Sequence, residues 1–179
     1  MIAHIFSMTS ILESEKYMDT ATEAFFKVLE EYADNGEPFN IGKWMHMYTF
    51  DVIGELFFGR MFGFIDERKD IGGYMGAVDI ILPHAIRMGV LWEWMRPFQI
   101  LLVPFSSSLR HGITVFNNLA AESRRLVDER VGTKSERTDM LAKLLKVAAD
   151  KSPDFDVTDV YTEAYTAMYA ASSFGQAPC

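Results

Sequence analysis

Two acids, Asp51 and Glu55, stand four residues apart in the stretch TFDVIGELFFGRMFGF at positions 49–64. On a helix that spacing places both carboxylates on one face, which is where a general acid and a general base would have to stand. The same stretch holds no nucleophile, no histidine pair and no phosphate loop for such a pair to serve. Like charges at this spacing cost only a few tenths of a kcal/mol, tolerable on a stripe that faces water or a cation such as Arg60. The residues therefore predict a solvated acidic stripe in preference to an acid/base site.

The other reactive types are dispersed. His4, His46, His84 and His111 lack the H-E-x-x-H spacing that converges on a metal, and each reads as a half-buried polar residue. Ser106, Ser107 and Ser108 read as a helix N-cap, and Ser172 and Ser173 lie on an alanine-rich helix without a base beside them. GRMFGF has neither the preceding strand nor the spacing of a dinucleotide fingerprint, and no G-x-S-x-G elbow occurs. Cys179 is the single cysteine, so no intramolecular disulfide can form and cysteine usage points to an intracellular protein.

The elements that must carry these residues are helices. The 179 residues are 49% hydrophobic with mean hydropathy +0.03, as expected of one globular domain or a large piece of one. A net charge of -8 excludes a nucleic-acid partner, which would require a basic face. MIAHIFSMTS has no basic leader or cleavage site, its apolar run is too short to span a bilayer, and it reads as a helix already under way. Apolar residues from Tyr17 to Tyr32 predict an amphipathic helix over Ser14–Ala33, stopped by DNGEP. The following helix, from near Gly42 through Phe58, is apolar around most of its circumference and should lie amid neighbours.

Gly59 and Gly63 mark a loop, after which glycines and Pro83 predict a soft, bent or mobile helix through Tyr74, Val78, Ile81 and Leu82. Helices over Ser107–Gly132, from Thr138 or Asp139 to Asp150, and from Val157 onward complete the chain, the last with Ala164, Ala167, Ala170 and Ala171 along one side. No period-two alternation and no internal repeat appears, so the fold class is mainly α.

The segment 91–105, LWEWMRPFQILLVPF, sets Trp92, Trp94 and Arg96 beside Phe98, Leu101 and Leu102. Indole and guanidinium next to a short aliphatic run suit a lipid interface; an interhelical loop capping the core is the equal alternative. Eleven methionines, with Met45, Met47, Met61, Met75, Met88 and Met95 in the middle third, suit core filling better than an apolar ligand pocket.

AHIFSMTSILESEKYMD, FNIGKWMHMYTFDVIGELFFGRMFGF and the closing alanine-rich helix together resemble fungal cytochrome P450 monooxygenases of the pisatin-demethylase-like kind, over residues 1 to about 171. The resemblance implies one partial helical domain over 1–179, running from the end of the family's helix C through D, E, F, G and H to the beginning of helix I, without the haem-binding core. The segment 49–59 would be scaffold helix E, and 91–105 the F–G loop that lids the substrate pocket and touches the membrane. The residues 172–179 form an atypical tail.

The helix I motif A/G-G-x-D/E-T falls on Ala170, Ala171, Ser172, Ser173 and Phe174, so Ser173 and Phe174 replace the acid and threonine of the proton relay. The tryptophan and arginine of helix C would precede Met1. The E-x-x-R pair and the F-x-x-G-x-R-x-C-x-G thiolate loop would follow Cys179, which matches nothing in that loop. The family uses haem, a reductase fed by NADPH and an apolar small-molecule substrate, often in secondary metabolism, at the endoplasmic reticulum membrane. For this chain the resemblance implies an inert fragment that binds no haem. The alternative is a non-catalytic helical protein that docks on a partner or a membrane.

Overall fold

The computed structural model describes residues 5, 7–90, 92, 94, 97, 104, 106–132, 139–150 and 155–173. The described residues are helical and contain no strand, in agreement with the mainly α reading.

Helix α1 spans Met8–Asn35, beginning six residues before the sequence signal because Ser7 caps it, accepting a hydrogen bond from the Ser10 amide at 3.4 Å. Gly36, at φ +65°, closes it in the left-handed conformation that glycine adopts without strain. Its buried face carries Ala21, Phe25 and Val28. Helix α2, Ile41–Ile53, starts on an Asn40 cap to the Lys43 amide at 3.1 Å and buries Trp44, Met47, Phe50 and Val52. It touches α1 on one side and α7 (Val157–Ser173) on another, as an all-round apolar helix must.

The α2 ladder widens into a π-turn over Gly54–Phe58, closed by Gly59 at φ +76°. Gly54 has no room for a side chain: a Cβ there would lie 2.5 Å from the Arg60 carbonyl oxygen. The chain then doubles back over α2 and enters the short helix α3, Phe64–Glu67.

This return corrects the reading of the acidic pair. Asp51 is fully buried, and its carboxylate accepts from the amides of Gly63 (2.7 Å), Phe64 (3.2 Å) and Ile65 (2.8 Å). It faces no water, and it shares no stripe with half-buried Glu55. The amides at a helix start have no intrahelical partner, and Asp51 satisfies those of α3 from twelve to fourteen residues away.

Helix α4, Tyr74–Val90, follows a single 3-10 turn at Ile71–Gly73 and holds Pro83 inside it. Asp70 accepts from the Met75 and Gly76 amides at 3.1 and 3.0 Å, a cap that offsets the weak start of the helix. Helix α5, Ser107–Gly132, has the bounds its sequence predicts; Ser106 accepts from the Leu109 amide at 3.2 Å. Gly112 lets α5 approach α4, since a Cβ there would stand 3.2–3.3 Å from Ile80 and Ile81.

Helix α6, Met140–Ala149, is capped by buried Asp139, which accepts from the Ala142 amide at 2.8 Å and pairs with Arg130 of α5. In α7, Asp156 accepts from the Thr158 and Asp159 amides, and Asp159 accepts in return from the Asp156 amide at 2.8 Å. Contacts from α2, α4, α5 and α6 converge on α7, which makes it the axis of the assembly.

Candidate functional site

Because α7 is the axis, its faces decide what chemistry the fold could support. Val160, Ala164, Met168 and Ala171 form its buried stripe at spacings of four, four and three. Ala171 packs in one cluster with Phe25 and Val28 of α1, Trp44, Met47 and Phe50 of α2, and Phe64 of α3. A second face carries Tyr161, Tyr165 and Tyr169, four apart. Phe116 of α5 stands edge-on to Tyr165 and Tyr169, at 5.7 and 5.3 Å between ring centroids. Tyr161 donates its hydroxyl to Asp128 of α5.

Ala167 and Ala170 are only half-buried, and Thr162 and Thr166 are exposed, their hydroxyls turned back onto the carbonyls of Thr158 and Thr162. The four positions lie on the remaining side of α7. The fold thus separates Ala170 from Ala171: one is locked in the core, the other borders the open side. Ser172 and Ser173 belong to the last turn of α7, and Phe174 lies outside the described residues.

His4 lies outside the described residues, and the other three histidines are spread through the structure. His46 is buried, not half-buried, and stacks on Phe50 at 5.6 Å; His84 bonds the Ile80 carbonyl at 2.8 Å; His111 is exposed. Among the described residues no three His, Cys, Asp or Glu converge to hold a metal ion, and none is a cysteine.

At the far end of α4, Trp92 and Trp94 are 76% and 66% exposed. Arg96, Phe98, Leu101 and Leu102 lie outside the described residues. The sequence reading passed over Ile86 and Val90, which are 58% and 79% exposed on the last turns of α4 and extend the same apolar surface. Their signal was present as an i, i+4 apolar pair, the spacing that also marks a buried face. Among the described residues no helix is long and apolar enough to cross a membrane.

A central helix with small residues at its last turn, walled by helices from several directions, defines an all-α scaffold built around one buried axis. The sequence profile of the family Cytochrome P450 matches residues 1–173, and the chain belongs to that family. Its helices are a partial cytochrome P450 helical domain. The chain is similar to cytochrome P450 monooxygenase gsfF of Penicillium aethiopicum, with 32% identity over 179 residues, covering 96% of this chain and 36% of the relative. It is 28% identical over 176 residues to cytochrome P450 monooxygenase ACRTS1 of Alternaria alternata, covering 96% and 47%. It is 28% identical over 194 residues to benzoate 4-monooxygenase bphA of Aspergillus niger, covering 96% and 37%. The chain spans between about a third and a half of the length of these curated relatives.

Proposed function

We propose that these helices form part of the wall of a haem-thiolate monooxygenase that oxidises an apolar small molecule in fungal secondary metabolism, with electrons delivered by an NADPH-dependent reductase. The observation that supports this reading is the family match across residues 1–173, together with relatives that are fungal monooxygenases. In this reading α1, α2, α4, α5 and α6 take the places of helices D to H, and α7 begins helix I.

The haem itself is a separate question of fit. An iron held by thiolate needs a cysteine, and the described residues contain none and converge no other set of donors. They fit the wall of such a site and do not fit its ligand set, so no reaction step is assigned to them. When bound, haem supplies the oxygen chemistry of the family. What these residues contribute is shape: Ala171 is buried in one cluster with residues of α1, α2 and α3, and half-covered Ala170 borders the side of α7 that carries exposed Thr162 and Thr166. Ser173 and Phe174, at the acid and threonine positions of helix I, offer one hydroxyl and no carboxylate.

By itself the chain is proposed to be inactive. Purified with added haem, reduced and exposed to carbon monoxide, it should lack the Soret band of a thiolate-ligated haem. A band at the family's characteristic position, with substrate turnover when a reductase is added, overturns that reading.

A further inference from the structure

Helix α1 holds seven acids against two lysines, in a chain whose net charge is -8. Its packed side, turned to α2 and α3, carries Ser14, Ala21, Phe25 and Val28. On the opposite side Met8, Leu12 and Phe26 stand 72%, 59% and 56% exposed, and exposed Glu15 and Asp19 fall between them. Steps of four, three, four and seven residues keep these five side chains within an arc of about 60° along about 27 Å of helix. Exposed Glu23 and Glu30 flank the same stripe.

Nothing in the fold answers these charges. Glu31, which does have a cation, pairs with Arg68 and lies off the stripe. The Lys16 ammonium sits over the Tyr17 ring at 4.8 Å. Among the described residues Glu15, Asp19, Glu23 and Glu30 make no ion pair. Glu15, Asp19 and Glu23 also follow one another at steps of four, where like charges on a helix repel.

A 3.5-residue apolar repeat is what a second helix reads, and charges set into it choose the sign of that helix. The acids turn away an anionic bilayer and a nucleic acid. A second copy of α1, parallel or antiparallel, would set acid against acid at the centre of the stripe. We infer that this face of α1 docks a basic amphipathic helix of a protein partner, its Lys or Arg side chains over Glu15, Asp19 and Glu23 and its apolar ends on Met8, Leu12 and Phe26. Docking here involves no haem, and its outcome is independent of the monooxygenase reading.

The test uses the 179-residue chain and two fluorescent helical peptides of about 21 residues, long enough to span the stripe. Both carry leucine at the two ends of one face; between the leucines one has lysines and the other glutamates. By fluorescence anisotropy the lysine peptide should saturate one site and bind about tenfold more tightly than the glutamate peptide. Glu15→Lys with Asp19→Lys should reverse that preference. Asp66→Lys with Asp150→Lys makes the same change of net charge at exposed positions away from α1 and should leave the preference in place. Phe26→Ser should weaken the lysine peptide about tenfold through lost apolar contact. The inference fails if the peptides bind equally, if the pair of substitutions away from α1 weakens the lysine peptide as much as the pair on α1, or if Phe26→Ser binds as the parent does. All the substituted side chains are exposed, and circular dichroism checks that each variant keeps its helices.

Discussion

Asp51 is a carboxylate with no water and three backbone partners, a residue whose work is to hold a loop. Replacing it with Asn keeps one acceptor oxygen and turns an amide NH2 toward N–H groups that need an acceptor. The expected loss is about 1–3 kcal/mol of folding stability, the cost of leaving buried donors unsatisfied, measurable by urea unfolding of Asp51→Asn. Burial pushes this carboxyl up from its ordinary value of 3.8, against the opposing pull of the Ile65, Phe64 and Gly63 amides. A raised value means that the folded state holds the proton where the unfolded state has released it. The stability it contributes is therefore greatest below pH about 4 and declines as pH rises through the folded value. The stability gap between parent and Asp51→Asn should accordingly be wider at about pH 4 than at pH 7; a gap that widens with rising pH contradicts this account.

At the scale of the element, the return of residues 59–65 over α2 depends on two conditions: an acceptor at Asp51 and empty space at Gly54. A methyl at Gly54 meets the Arg60 carbonyl oxygen at 2.5 Å and the Phe62 ring at 3.1 Å. Backbone cannot swing aside as a side chain can. Gly54→Ala should cost about 1–3 kcal/mol in spite of alanine's better helix propensity, because overpacking exceeds the intrinsic gain. Thermal unfolding reads the sign directly, and a variant more stable than the parent refutes the close packing. Exchange of the Gly63 and Ile65 amides with deuterium should quicken in the same variant, since the loop that Asp51 holds would be displaced.

At the scale of the whole molecule, the distribution of apolar surface stands out. Ile86, Val90, Trp92 and Trp94 lie exposed at one end of α4, while Met8, Leu12 and Phe26 are exposed on α1. A surface of this kind is costly in water and marks a contact with lipid or protein. If the end of α4 sits at a bilayer interface, where indoles settle, the chain should co-sediment with neutral phosphatidylcholine vesicles, and Trp92→Ser with Trp94→Ser should reduce the bound fraction severalfold. Equal sedimentation of parent and double variant assigns the surface to protein contacts. The exposed faces also predict dye binding and concentration-dependent association of the isolated chain, seen by light scattering.

Signals carried by neighbouring residues were readable from the sequence. The mainly α class, the Ser107–Gly132 bounds, a cap at Thr138 or Asp139, which falls on Asp139, and the Gly36 stop all follow from side chains that act on their own turn or the next, and the family resemblance rests on the same contiguous segments. The fate of Asp51 was not readable, because its partners lie twelve to fourteen residues downstream and only the folded loop brings them to it. The small cavity beside Phe62 and Tyr74 likewise draws its lining from α2, the returning loop, α4, α5 and α7, which no contiguous segment reveals. Periodicity reports that a residue is apolar or charged on some face of a helix. Which face meets another helix, and which is left open, is settled only when the helices pack, since burial is a property of neighbours and not of the residue itself.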